Sequence, residues 1–183
     1  MNSSSKPCTV EAILFDFGGV LAEEGFRNGL FAIAGRNGLE PEGFAGAGFE
    51  LVYDTGYVLG RSDEGTFWKA LRERTHISDS DSTLRNDILS NFRLRPWMVD
   101  LVKKLKQNGM CLAILSDQTN WLDELNSRQG FSDGLTTSST ATIWAKARRR
   151  SQFLKTYYRT WGFRPAMHCL WMTMNPTLKG PTA

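Results

Sequence analysis

Two short apolar runs that end abruptly in polar residues frame the first two thirds of the chain. The first, residues 10–21, reads Val-Glu-Ala-Ile-Leu-Phe-Asp-Phe-Gly-Gly-Val-Leu. The second, residues 110–117, reads Met-Cys-Leu-Ala-Ile-Leu-Ser-Asp. Runs of this length without alternation are what strands buried on both faces look like, as in a parallel sheet. The first delivers Asp16 to the end of its strand, where Gly18 and Gly19 let the backbone turn tightly. The second delivers Ser116 and Asp117 in the same way.

Between them the apolar spacing is helical. Phe26, Leu30, Phe31 and Ile33 fit one stripe, Phe44, Phe49, Leu51 and Val52 a second, and Phe67, Ala70, Leu71 and Arg74 a third; a fourth helix runs from Ser82 to Asn91 and Phe92. Ser62-Asp63-Glu64 reads as the start of the third helix, because acids favour the positive end of a helix. Arg95-Pro96 opens another helix: Pro suits a first turn, Met98, Leu101, Val102 and Leu105 recur at helical spacing, and Gly109 fits the stop. After the second run a helix follows with Thr119 or Asp117 at its cap and Trp121, Leu122 and Leu125 facing inward, ending near Gly130. Strand, helix, strand with short links implies a parallel crossover, so Asp16, Ser116 and Asp117 should share one sheet edge. In open α/β sheets that edge is where ligands bind.

Composition agrees with a globular protein: 41% of the 183 residues are hydrophobic and 22% charged, enough for one domain with an insert. No run approaches the roughly 18 apolar residues of a membrane span, and the amino end lacks the apolar stretch of a secretory signal, so a cytoplasmic location is expected. Cys8, Cys111 and Cys169 have no Cys-x-x-Cys spacing, and His76 and His168 are the only histidines, which argues against a disulfide framework or a Cys/His zinc site. Charge is unevenly distributed. Up to Asp133 there are 14 basic and 19 acidic residues, a net of −5; beyond it come 8 basic residues and no acid.

Phe-Asp-Phe-Gly-Gly-Val-Leu at 15–21, a helical insert directly after it, and Leu-Ser-Asp-Gln-Thr-Asn-Trp at 115–121 resemble the haloacid dehalogenase (HAD) superfamily, in its branch with an all-helical cap. The resemblance covers roughly residues 10–133. It implies a doubly wound, three-layer α/β core of Rossmann type, built from 10–21 and 95–134, with a helical cap at 22–94 and a core left incomplete at its carboxyl end. It further implies that Asp16 is the nucleophile and a ligand of Mg2+, that the Phe17 and Gly18 amides and Ser116 hold a phosphate, and that the substrate is a small phosphorylated metabolite. Asp117, directly after the family's hydroxyl residue, is a second phosphate-side candidate, though a capping role suits it better. The chemistry of the residues agrees: a carboxylate can form a covalent intermediate, glycine amides can cradle an oxyanion, and a lid can exclude water.

Departures from the family pattern are as informative. Phosphatases of this kind usually carry a second Asp two residues after the nucleophile, as acid and base for the leaving alcohol; here that position is Gly18. Such a loss is worth on the order of 10²–10⁴ in rate. Some branches of the family resemble this chain in having Gly there. The family also needs a Lys and a pair of metal-binding acids after Gly130, yet no Asp or Glu follows Asp133. The tail, residues 135–183, loses clear periodicity and ends in Pro-Thr-Leu-Lys-Gly-Pro-Thr-Ala.

The genetic code offers a reason. Trp171, Met172 and Thr173 are encoded TGG, ATG and ACN, so the last base of each codon with the first two of the next spells GAT and GAC, Asp-Asp without freedom; Met174 and Asn175 likewise force GAA, a Glu. In the same frame residues 166–171 permit x-Ala-Leu-Phe-Val, and residues 143–146 permit Leu-Gly-Lys, which look like the family's two missing motifs in the expected order. From about Leu135 onward the chain therefore reads as an out-of-frame version of a family carboxyl half. Basic residues of such a tail arise without selection, which argues against nucleic acid as a partner despite the +8 charge. The expected consequence is a sheet that stops early, with an unpaired edge, and a marginal product whose Asp16 lacks its magnesium and cationic partners. Lys146 lies near the place of the missing Lys, but is not expected to substitute for it.

The expected function is thus a Mg2+-dependent phosphoric monoester hydrolase by descent, impaired in this chain. The alternatives are a haloacid dehalogenase, which would use the same Asp against carbon without metal, and a folded but inactive product. A phosphate-accepting receiver module is disfavoured by the insert directly after the first strand. Spacing reveals neither the substrate nor the oligomeric state.

Overall fold

The computed structural model describes residues 10–114, 116, 119–131 and 168–172, without the side chains of residues 10–12, 111 and 168–172. Its elements in chain order are β1 (Val10–Phe15), α1 (Gly25–Arg36), α2 (Pro41–Asp54), a short 3-10 turn at Tyr57–Leu59, α3 (Glu64–Thr75), α4 (Asp81–Asn91), α5 (Pro96–Gln107), β2 (Cys111–Ile114), α6 (Trp121–Gln129) and β3 (His168–Met172).

The sheet is parallel, with order β2-β1-β3. Ala12 to Phe15 pair in register with Cys111 to Ile114, and on the other side Ile13 to Phe15 pair with Leu170 to Met172. A register irregularity separates the Val10–His168 and Ala12–Cys169 pairs. β1 is therefore central, which corrects one expectation: the tail does contribute a strand, and the edge of β1 opposite β2 is paired. Periodicity within the tail gave no hint of this, because the pairing of β3 is a long-range property that a single short segment does not advertise.

Four helices, α1 to α4, form an insert between β1 and α5. α1 packs on α4 and α2, and α2 on α3. The α1–α4 contact is close because Gly29 has no side chain: a Cβ there would stand 2.6 Å from the Cα of Ile88. Caps follow the sequence logic. Asp63 accepts from the Thr66 amide at 2.8 Å, Ser80 from the Thr83 amide at 3.2 Å, and Glu40 from the Glu42 and Gly43 amides ahead of Pro41 at the first turn. Leu30, Ile33, Phe44, Val52, Phe67 and Leu71 are buried as their stripes require. Three positions differ. Phe49 is exposed, Arg74 lies at the surface in an ion pair with Glu50, and Trp68, outside the chosen stripe, is completely buried.

The insert enters and leaves the core along two adjacent stretches. Ala22 and Leu94 form an antiparallel bridge, the Glu23 amide donates to the Arg93 carbonyl, and the Arg95 amide donates to the Leu21 carbonyl, each at 2.9 Å. One apolar cluster runs through both parts, from Ile13 and Phe15 to Trp68, Ile88 and Leu125. No helix among the described residues is long and apolar enough to cross a membrane.

Candidate active site at the carboxyl edge of the sheet

Asp16 follows β1 directly and is half-buried. Its Oδ1 accepts the Phe17 amide at 2.7 Å, which fixes one carboxylate oxygen. The Phe17 amide, expected to face a phosphate, is thus engaged by Asp16 itself in this structure. The Phe17 ring is fully buried against Phe131 and Phe92, with centroids 4.8 and 5.8 Å away, and so anchors the loop from below. The Phe17 carbonyl accepts from the Ala22 amide at 2.9 Å, closing the turn, and Gly19 at its tip has φ +75°, the left-handed region that a side chain resists.

Ser116 lies two residues beyond Ile114, and Ile114 pairs with Phe15, so the β1–β2 register brings Asp16 and Ser116 to the same edge. Asp117 lies outside the described residues. Thr119 is buried, and its hydroxyl accepts from the Trp121 amide at 3.3 Å, so it serves the start of α6 while Asn120 occupies the cap position. Asn120 has another role: its Oδ1 accepts the Tyr57 hydroxyl at 2.7 Å, joining the cap to the loop after β2. Burial pushes the Tyr57 phenol up, so it remains a neutral donor.

A second cap-to-core link is ionic. Arg85 of α4 donates to Glu64 Oε2 of α3 at 2.5 Å and also to Glu124 of α6, which Arg128 engages as well. Desolvation would raise the Glu124 carboxyl, but the bonds and charges of Arg85 and Arg128 outweigh it and hold it below the ordinary range. Between these links lies an aromatic cluster. Trp121 stacks on Trp68 at 5.7 Å and meets the edge of Tyr57 at 5.5 Å. None of Tyr57, Arg85, Glu64 or Glu124 was among the sequence candidates; Gly56 and Gly60 flanking Tyr57 were the only visible signal.

A second carboxylate belongs to the site's surroundings. Glu24 lies against Gly19, where an added Cβ would collide with its carboxylate. Part of Glu24 faces solvent, yet the protein around it removes enough water to raise its carboxyl, and the Asp16 charge raises it further. A cleft of about 540 Å³ opens elsewhere, between α5 and the end of α6, lined by Leu94, Val102, Lys106 and Phe131 among others; neither Asp16 nor Ser116 borders it.

Magnesium is the ion that the resemblance implies, and the described residues do not fit it. They contain no group of three or more Asp, Glu, His or Cys placed to hold a metal.

No family model and no curated protein matches the chain. Solved structures do. A HAD family enzyme from Bacteroides thetaiotaomicron, in complex with magnesium and inorganic phosphate, superposes with TM-score 0.66 at 17% identity over 89% of this chain and 84% of its own. L-2-haloacid dehalogenase from Xanthobacter autotrophicus, with chloropropionic acid covalently bound, gives 0.61 at 15% over 89% and 69%. A HAD-like family hydrolase from Porphyromonas gingivalis gives 0.59 at 16% over 88% and 80%. A parallel sheet centred on β1, a helical insert after its first turn and these likenesses agree: the chain has the haloacid dehalogenase-like hydrolase fold, with an incomplete α/β core.

Proposed function

We propose that the chain is a HAD-type hydrolase whose lineage acts on small phosphate monoesters, and that it is impaired as written. The observation that carries this reading is Asp16 at the carboxyl end of a central parallel strand, with Ser116 delivered to the same edge by β2. An Asp16 oxygen would attack phosphorus as the bond to the leaving oxygen breaks, giving an aspartyl-phosphate; water would then attack phosphorus, releasing phosphate and restoring the carboxylate. The Gly18 amide and the Ser116 hydroxyl suit the phosphoryl oxygens, and the Phe17 amide holds Asp16 in place. Magnesium, when bound in enzymes of this kind, supplies positive charge against the phosphate; the described residues gather no group of three acids to hold it, and Asp16 facing a phosphate dianion without such charge is repulsive.

One observation favours a second reading. A single carboxylate with Gly18 in place of a second acid is also what displacement of halide from a 2-haloacid requires, because the halide leaves without a proton and the carbon centre needs no metal. The same fold is held by the Xanthobacter dehalogenase.

An assay pairing an aryl phosphate with 2-chloropropionate, with and without Mg2+, separates the two. Aryl phosphates are chosen because their leaving group departs without a proton donor at Gly18. Phosphate release that disappears in Asp16→Asn supports the first reading, chloride release that disappears in the same variant supports the second, and turnover that survives the substitution refutes Asp16 as nucleophile.

A further inference from the structure

The acids that a cation would need at this edge are missing from the chain in a patterned way. Residues 134–183 contain no Asp or Glu, where ordinary usage would place roughly six in fifty residues. The structure nevertheless puts part of that stretch where acids would matter: β3 runs parallel to β1, and its last residue, Met172, pairs with Phe15, the residue before Asp16. The carboxyl end of β3 and the start of the Asp16 turn thus stand side by side on one edge.

The codons at that position are constrained. Trp171 and Met172 are encoded TGG and ATG, and the following Thr, Met and Asn are ACN, ATG and AAY. Starting from the third base of each codon, these read GAT, GAC, NAT, GAA: three obligatory acids within four codons. The remaining frame is closed, since Met172-Thr173 and Met174-Asn175 each force TGA there. The frame that yields the acids also forces Ala-Leu ahead of two positions that permit Phe and Val, so the codons allow a buried-strand pattern in that frame that gains a charged end.

We infer that β3 is a strand read one base out of frame: the chain retains the backbone place of a strand ending in two adjacent acids beside Asp16, and lacks the acids themselves. Two independent facts meet in one residue, the pairing of Met172 with Phe15 and the obligatory Asp codons that overlap Met172. The loss of one base between the codons for Phe131 and Trp144 accounts for the displaced Asp codons and for the change in net charge from −5 to +8 across Asp133. The codon argument holds whether the site acts on phosphorus or carbon; the expectation of Mg2+ binding rests on the phosphorus reading.

Two measurements test it. Sequencing the transcript through codon 183 should show an open frame, offset by one base, that runs from before codon 144 past codon 175; a stop codon in that frame before codon 171 would overturn the inference. Restoring one base in the coding sequence and titrating Mg2+ calorimetrically into both full chains should show at least tenfold tighter binding by the restored chain. Equal binding by the two chains would overturn it. Because a chain as written that does not fold would itself appear metal-free, a third chain, restored but with both new Asp codons changed to Asn, serves as the folded control; its thermal midpoint should match that of the restored chain while its Mg2+ binding is lost. Mg2+ binding retained by this control would refute the placement of the acids beside Asp16. Neither measurement uses turnover, so a failed phosphatase assay leaves both readable.

Discussion

Arg95 grips Glu23 with two bonds, Nε to Oε1 at 3.1 Å and Nη2 to Oε2 at 3.0 Å, and its Nη1 donates to the Gly19 carbonyl at 2.5 Å. One guanidinium therefore ties the exit stem of the cap to its entry stem and to the turn after Asp16. The planar fork suits this task in a way an ammonium would not. Arg95→Met should cost about 1–2 kcal/mol, at the lower end for charge-assisted bonds because Glu23 is partly exposed. A shift of the urea midpoint at constant slope checks it.

The Arg95 bond holds the Glu23 carboxyl below its ordinary value, with the Arg95 and Arg93 charges adding to the effect. A depressed carboxyl stabilises the fold above its unfolded pKa and loses that contribution as pH falls through the folded value. Wild type should thus lose more stability than Arg95→Met between pH 5 and 3. Parallel acid-side melts of the two proteins test the sign.

Glu24 has the opposite sign. Its carboxyl is raised, by desolvation first and then by Asp16, so its contribution is complete below the unfolded pKa and is lost as pH rises through the folded value. Glu24→Gln should therefore raise the melting temperature at pH 7 and leave it unchanged near pH 4. Asp16→Asn should lower the Glu24 pKa, a coupling that carboxyl NMR titration reads directly.

The two buried tryptophans at the cap–core contact should respond differently to replacement by Phe. Trp68 donates Nε1 to Glu64 at 2.9 Å, whereas the Trp121 Nε1 is buried without a partner among the described residues. Both changes remove ring volume, but only Trp68→Phe also deletes a bond to a charged group. It should cost about 1–2 kcal/mol more than Trp121→Phe in equilibrium unfolding.

Helical glycines divide by surroundings. Gly35 in α1 and Gly46 in α2 have nothing within 4 Å of an added Cβ, so Gly→Ala at either should stabilise by about 0.5–1 kcal/mol. Gly29→Ala would drive a methyl into the Ile88 backbone and should destabilise by about 1–3 kcal/mol as α1 is pushed from α4. Thermal melts of the three variants decide both signs.

Much of this architecture was readable because it is local. Pro96, the Met98–Val102 spacing and Gly109 bound α5 almost to the residue, and Ser62-Asp63-Glu64 marks the start of α3, which opens at Glu64 with Asp63 as its cap. The shared edge of Asp16 and Ser116 followed from two apolar runs of similar length. Trp68 was missed because the chosen stripe was narrower than the face that α3 buries, which extends one position around the helix. Tyr57–Asn120, Arg85–Glu124 and β3–β1 join residues far apart in sequence, and no periodicity encodes such partners. The engagement of the Phe17 amide by Asp16 was equally hidden, since it depends on a side-chain rotamer.

The crossing of the two cap stems beneath Arg95 carries a mechanical implication. An insert on two independent tethers can swing while the core below stays still, but here the Ala22–Leu94 bridge joins the tethers into one pin and the Arg95 guanidinium fastens that pin to the Gly19 carbonyl. Any movement of the insert that rotates Arg95 pulls on the loop three residues from Asp16, so the posture of the insert is relayed to that carboxylate through one lever.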